Sequence, residues 1–373
     1  MANSEPSADQ PNEMHLSQQQ TCCPAPVRKV LQRGVVLPAH PLALDARRKL
    51  DERSQRALAR YYVAAGAGGL AVGVHTTQFQ IHNPCSGLLE PVLTIAREEM
   101  DRADQSRQKP LVRVAGICGK TAQAVIEAEL ARDLGYHCGL LNFSEFSAAD
   151  EPALLAHCRA VARVLPLFGF CLQASLGGLR LSRALWTRFC EIEQVVAIKI
   201  APFNRYQTLD LIHAVADSGR TDIALYTGND DHIVLDLLLP YSARGTEGQW
   251  NLYMVGGLLG HWALWTKKAV ELLDQCHHAV ANGLGASPQL LLCHTEVTDM
   301  NAAIFDATNE FRGCLPGISE VLSRQGLVAT NLCLDEEETL SAGQKEEIDR
   351  VMAAYPHQRD DAFVAEHLDE WRR

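Results

Sequence analysis

The chain has 373 residues, 47% of them hydrophobic and 21% charged, ordinary values for a globular protein of one large domain or two smaller ones. A formal charge of -11 argues against a general nucleic-acid or anionic-membrane surface, but a few local cations could still hold an anionic small molecule. No apolar run is long enough to span a membrane, and Met1–Gln20 lacks the basic start and apolar core of a secretory signal.

Residues 1–27 are rich in Ser, Gln, Pro and Glu without periodicity and are read as a disordered leader. From Gly34 onward, apolar runs alternate with segments of helical length. The candidate strands are Gly34–Leu37, Gly69–Val74, Leu111–Ile117, Cys138–Asn142, Leu167–Leu172, Val195–Ala201, Ile223–Thr227 and Leu252–Val255. Between them, Ala46–Ala67, Ala122–Leu134, Asp150–Leu165 and Tyr206–Ser218 carry amphipathic helical patterns. Eight strand–helix units over roughly 230 residues predict an α/β fold of the (β/α)8 barrel type across residues 28–285. An open doubly wound sheet would carry a glycine-rich phosphate turn after its first strand, where this chain reads Leu37-Pro38-Ala39-His40-Pro41. Residues 286–373 read as a C-terminal helical extension, with helices over Thr295–Phe311, Ile318–Gln325, Ser341–Ala354 and Asp360–Trp371. These helices are expected to pack on the barrel or a neighbouring subunit, without a direct part in catalysis.

Twelve cysteines do not make a disulfide framework here. Cys118, Cys138, Cys171 and Cys190 lie in or beside apolar segments, where a free thiol acts as a small hydrophobe, and no C-x-x-C pair or zinc-like spacing occurs. A reduced, cytoplasmic protein is expected.

One residue breaks the apolar pattern. Lys199 sits inside Val195-Val196-Ala197-Ile198-Lys199-Ile200-Ala201, a run suited to a buried parallel strand. Strict alternation places Val196, Ile198 and Ile200 on the helix-covered face and Val195, Ala197 and Lys199 on the other. Burial lowers the pKa of such a lysine toward a free amine, the nucleophile of Schiff-base chemistry; a lysine neutralised by a buried carboxylate is the alternative. In a barrel the chemistry lies where strands end, which draws together His40, His75-Thr76-Thr77, Gly116–Gly119, Asn142–Glu145, Cys171–Gln173, Lys199, Thr227–Asp231 and Gly256–His261.

In order and spacing these pieces resemble the dihydrodipicolinate synthase and N-acetylneuraminate lyase superfamily, class I aldolases built on this barrel. The resemblance runs from Gly34 to Trp262. It rests on Gly34…Pro38…Pro41-Leu42…Asp45, Gly66–Val72 followed by Thr76-Thr77, Ile198-Lys199, Gly228-Asn229-Asp230-Asp231, and Gly256-Gly257-Leu258-Leu259-Gly260. It implies that Lys199 forms an imine with pyruvate or another 2-oxo acid and that Thr76 and Thr77 offer donors to the substrate carboxylate or relay a proton. It also implies a homo-oligomer. No cofactor and no metal are expected.

Several family features are replaced. The relay tyrosine of the fifth strand and the following arginine give way to Cys171-Leu172-Gln173-Ala174 and Leu176-Gly177-Gly178, and the paired tyrosines after the fourth strand to Asn142-Phe143-Ser144-Glu145-Phe146. The expected catalytic set is therefore Lys199, Thr77 and His75, a histidine being suited to proton transfer near neutrality. Substrate contacts are expected from Thr76, Asn142, Gln173, Arg205, Asp230, Gly256 and Gly257. Glu145, Asp231 and Tyr226 are further acid–base candidates.

Two rival readings remain open. The first is a metal-dependent barrel hydrolase using His40, His75, His82, His232 or His261, although closely paired histidine ligands are missing. The second is a barrel that keeps a 2-oxo-acid pocket without turnover.

Overall fold

Runs that are apolar on both faces need cover on both sides, and this chain supplies it by closing its sheet on itself. The computed structural model describes residues 22–148, 150–245 and 248–373. Its strands are β1 (Val36–Pro38), β2 (Gly69–Val72), β3 (Val112–Ile117), β4 (Cys138–Leu141), β5 (Leu167–Leu172), β6 (Val195–Ala201) and β7 (Ala224–Thr227), followed by β8 (Tyr241–Gly245), β9 (Gly248–Leu252) and β10 (Met254–Leu259). All but β8 and β9 form one eight-stranded parallel sheet in chain order, with β10 pairing both β7 and β1. An Ala39–Ala71 bridge joins β1 to β2 and completes the barrel.

Helices α1 (Ala25–Arg33), α2 (Glu52–Ala65), α3 (Leu89–Asp104), α4 (Thr121–Asp133), α5 (Glu151–Ala162), α6 (Arg183–Cys190), α7 (Arg205–Asp217), α8 (Ile233–Leu238) and α9 (Thr266–Ala281) accompany the strands. Beyond them come α10 (Pro288–Ile304), α11 (Cys314–Arg324), α12 (Gln344–Ala354) and α13 (Asp361–Trp371). Local chemistry sets several starts: the side chains of Asp51, Asp150, Ser182, Asn204 and Ser287 each accept a backbone N–H from the first turn of the helix that follows. Among the described residues no helix is long and apolar enough to cross a membrane, and all twelve cysteines are unpaired thiols.

The eighth barrel strand differs from expectation. Leu252–Val255 straddles the end of β9 and the start of β10, because Tyr241–Gly245 and Gly248–Leu252 first pair as a two-stranded antiparallel hairpin. Only one side of that hairpin is buried, through Tyr241 and Ala243, so it lacks the continuous apolar run that marks the other strands.

The register of β6 departs from strict alternation as well. Val195 pairs with Leu167 and Ala197 with Phe168, a one-residue shift that turns Val196 into the barrel and Val195 out toward the helices. Beyond the shift, Ala197 and Ala201 face inward while Ile198 and Ile200 pack outward, leaving Lys199 on the inner side.

Of the segment read as a leader, residues 1–21 lie outside the described residues, while Ala25 already begins α1. Cys23, Val27 and Leu31 pack with the inward residues of the strands, and Tyr226 donates its hydroxyl hydrogen to the Leu31 carbonyl (3.0 Å). An Arg28–Asp222 ion pair ties α1 to the start of β7, so this helix stoppers the N-terminal end of the barrel.

At the other extreme, Asp360 joins the tail to the barrel. It accepts the Tyr61 hydroxyl (2.8 Å) and the Lys267 N–H (3.1 Å), while Tyr61 accepts the Thr266 N–H (2.8 Å). Tyr61→Phe strands the Thr266 N–H and removes one hydrogen bond to a carboxylate, a loss of about 1.5–3 kcal/mol by urea unfolding. An unchanged midpoint and slope would show that this staple carries no stability.

Candidate active site

Register places the amine. Lys199 pairs with Phe170 of β5 and Tyr226 of β7, and its Nζ lies 4.7 Å from the centre of the Phe170 ring, within cation–π range. The residue is only 8% exposed and makes no ion pair among the described residues. Burial pulls the ammonium down to about 8, against the nearby Asp230 carboxylate, which raises it. The lysine stem runs past Gly228: a Cβ there would lie 2.5 Å from the Lys199 Cε and 2.7 Å from the Ala201 Cβ. Glycine at 228 keeps that path open.

Asp230 faces the same cavity from the turn after β7. Its Oδ1 accepts the His261 N–H (2.9 Å), and its backbone carbonyl accepts the side-chain amide of Asn301 in α10. Burial pushes the carboxyl up, while the His261 N–H and the Lys199 charge pull the other way; the net shift is upward. Buried Asp236 organises the turn by accepting Thr227 Oγ1 (2.7 Å), Asn229 Nδ2 (2.9 Å), Tyr241 Oη (2.7 Å) and Arg205 Nη1 (2.7 Å). Burial would raise its pKa, but these bonds, with His232 and the Arg205 charge, hold it below the usual carboxylate range.

The third wall is the turn after β2. His75 and Thr76 line the cavity, and burial reinforced by the Lys199 charge lowers His75 to about 4, leaving its ring neutral at pH 7. The threonine hydroxyls have a structural use. Thr76 Oγ1 donates to the Ala39 carbonyl (2.7 Å) and Thr77 Oγ1 to the His40 carbonyl (2.7 Å), so the pair laces β2 to β1. Thr77 also accepts the N–H groups of Gly73 and Val74 and stands off the cavity lining. His82 braces the turn by donating to the Gly73 carbonyl (2.7 Å) and to Glu127 (2.9 Å).

The space between these side chains is about 540 Å³, a figure that includes open solvent at the mouth. Gln173 contributes an amide that makes no hydrogen bond among the described residues. Much of the remaining wall is apolar and comes from beyond the barrel: Phe305, Phe311, Cys314 and Ile318 close over the mouth beside Phe203 and Gly260. The tail thus packs on the barrel and also lines the cavity. Its sequence signal is faint, a pair of phenylalanines bounding the polar loop Asp306–Glu310.

Of the residues expected at the site, the fold gathers Lys199, His75, Thr76, Gln173 and Asp230. The others lie elsewhere. Asn142 caps its own turn by accepting the Ser144 N–H (2.8 Å). Arg205 is paired with Asp236, so its charge is answered away from the cavity. Gly256 and Gly257 sit within β10, where a Cβ would meet Val35 and Tyr226 or the Trp262 ring; the β10-end glycine on the cavity is Gly260. Glu145 and Asp231 are exposed, and Tyr226 bonds to α1 at the opposite end of the barrel. Among the described residues no three His, Cys, Asp or Glu side chains form a metal-binding group: His40 contacts Gln55 (2.9 Å), and His232 contacts Asp236 (3.1 Å).

No family model matches the chain. It is 26% identical over 313 residues to a 4-hydroxy-tetrahydrodipicolinate synthase of Bifidobacterium longum, covering 83% of this chain and 95% of that protein. The chain is similar over most of its length to 4-hydroxy-tetrahydrodipicolinate synthases. A second such synthase, from a Cyanothece species, is 28% identical over 216 residues, covering 57% of this chain and 64% of the relative. Solved superfamily structures share the fold at low identity. Dihydrodipicolinate synthase from Oceanobacillus iheyensis superposes with a TM-score of 0.68 at 16% identity, over 89% of this chain and 99% of that one. N-acetylneuraminate lyase from Fusobacterium nucleatum, complexed with pyruvate, gives 0.65 at 15%, over 88% and 99%.

Gly228→Ala tests the lysine's path. The added methyl group displaces the Lys199 stem, and a shift of about 1 Å at a reacting atom costs on the order of 100-fold in rate. Reductive trapping of the amine by a 2-oxo acid should slow by at least about tenfold while thermal unfolding stays cooperative. Trapping at the wild-type rate would place the stem elsewhere.

Proposed function

We propose that the protein is a class I aldolase or lyase that joins Lys199 to pyruvate or a closely similar 2-oxo acid. The observation that carries this reading is the position of Lys199: an amine on the inner face of β6, buried and softened toward its free form, with Asp230 lining the same cavity. The superfamily resemblance, in which the sixth strand bears the imine-forming lysine, supports the assignment.

The free amine adds to the substrate ketone, and the resulting carbinolamine loses its hydroxyl as water to give an iminium. That cation draws electrons from the adjacent carbon, so a C3 proton leaves and an enamine forms. The enamine attacks an aldehyde carbon; the new C–C bond forms as the carbonyl oxygen takes up a proton. Water then hydrolyses the iminium, releasing a 4-hydroxy-2-oxo acid and the lysine. Run backward, the same steps cleave that product.

Proton transfer is assigned to Asp230. Its upward-shifted carboxyl can give a proton to the departing hydroxyl and take one back near neutral pH, a task the family leaves to tyrosine. Neutral His75 serves as a hydrogen-bond partner beside it. Gln173, His75 and Thr76, the last by turning its hydroxyl from Ala39, are the uncharged donors available to the substrate carboxylate. Thr77 acts by holding the turn. The reading includes a reduced, cytoplasmic setting, supported by unpaired thiols, and a homo-oligomer, supported by the family resemblance alone.

Borohydride with pyruvate should add mass to the peptide containing Lys199, and Lys199→Ala should abolish the adduct. Because only the unprotonated amine attacks, the trapping rate should rise with pH and level off above about 8. The Asp230 carboxylate stabilises the ammonium, so Asp230→Asn should move this inflection to lower pH. Stabilisation by pyruvate without any adduct would leave a binding barrel and remove the aldolase reading.

A further inference from the structure

We infer that the aldehyde partner is an uncharged, apolar one, alkyl or aryl, and that the C-terminal segment selects it. This rests on the Schiff-base reading. The polar side chains of the cavity, Lys199, His75, Thr76, Gln173 and Asp230, supply the donor set for a three-carbon oxo acid. What remains is a wall of Leu172, Leu176, Phe203, Phe305, Phe311 and Ile318.

Charge excludes the polar alternatives. Lys199 is the cavity's only lysine or arginine among the described residues, and it is consumed by the oxo acid. When the C–C bond forms, the enamine nitrogen is neutral, and the other titratable side chains on the wall are Asp230, His75 and Cys314, none of them a standing cation. A carboxylate on the aldehyde would meet a largely apolar wall with no cation to answer it. Arg205, the nearest expected cation, is engaged by Asp236. A polyhydroxylated aldehyde would likewise leave its hydroxyls unpaired against the phenylalanines.

The backbone supports a built clamp. Phe203 and Phe311 both hold left-handed conformations, φ 50° and 68°, which are costly for bulky side chains. Their rings nevertheless meet across the mouth edge to face, 5.6 Å between centres at 69°. Two strained aromatic residues, from β6's exit and from the tail, thus converge on the position an aldehyde substituent would occupy.

The test pairs pyruvate with benzaldehyde, hexanal, succinic semialdehyde and glyceraldehyde, following aldehyde loss and formation of the 4-hydroxy-2-oxo acid. Benzaldehyde or hexanal should show kcat/KM at least about 100-fold above the semialdehyde and glyceraldehyde. Phe311→Gly relieves the backbone while deleting the ring, so the variant should fold, yet its KM for benzaldehyde should rise about tenfold or more. Phe311→Arg should shift the preference toward succinic semialdehyde. If pyruvate is trapped on Lys199 but only the charged or polyhydroxylated aldehydes react, or none does, the inference fails while the Schiff-base reading stands. If no pyruvate adduct forms, the Schiff-base reading fails and takes the inference with it.

Discussion

A cationic side chain is expensive to desolvate, and the architecture around Lys199 is arranged to tolerate its amine without fully neutralising it. The Phe170 ring offers a weak electrostatic partner, and Asp230 stands close enough to be felt yet forms no ion pair. A tight pair would hold the proton on nitrogen and stop nucleophilic attack; an empty apolar hole would deter substrate binding. The intermediate arrangement requires a rigid carboxylate. Hydrogen bonds from His261 and Asn301, together with the Asp236 network beneath the turn, supply that rigidity.

Polar groups that resemble catalytic equipment also serve as construction elements. The Thr76 and Thr77 hydroxyls bind β2 to the short first strand, the seam that needs most help to stay closed. Arg205 and Asp236 secure the turn bearing Asp230. Such residues act on chemistry by fixing where other groups stand, and their loss would loosen the cavity before altering any reacting atom.

The barrel was legible because buried parallel strands are short, apolar and bounded by turn residues, and because Lys199 interrupts one of them. What escaped the sequence was non-local. The shift between β5 and β6 that exchanges Val195 and Val196 depends on the partner strand, which no single-strand pattern records. The Arg205–Asp236 pair forms only after α7 and α8 have packed. Phe305, Phe311 and Ile318 read as ordinary core residues of a helical tail; only the tertiary fold brings them over the mouth. The hairpin before β10 went unread because half its residues face solvent.

The order in which the parts are synthesised has a consequence. The floor of the barrel is closed by α1, near the start of the chain, whereas the lid over Lys199 is contributed by residues that leave the ribosome after the whole cylinder. Until those residues dock, the cavity around Lys199 lacks part of its apolar wall. The pocket is therefore completed after the cylinder that carries its amine, and its final shape depends on the last part of the chain finding its place.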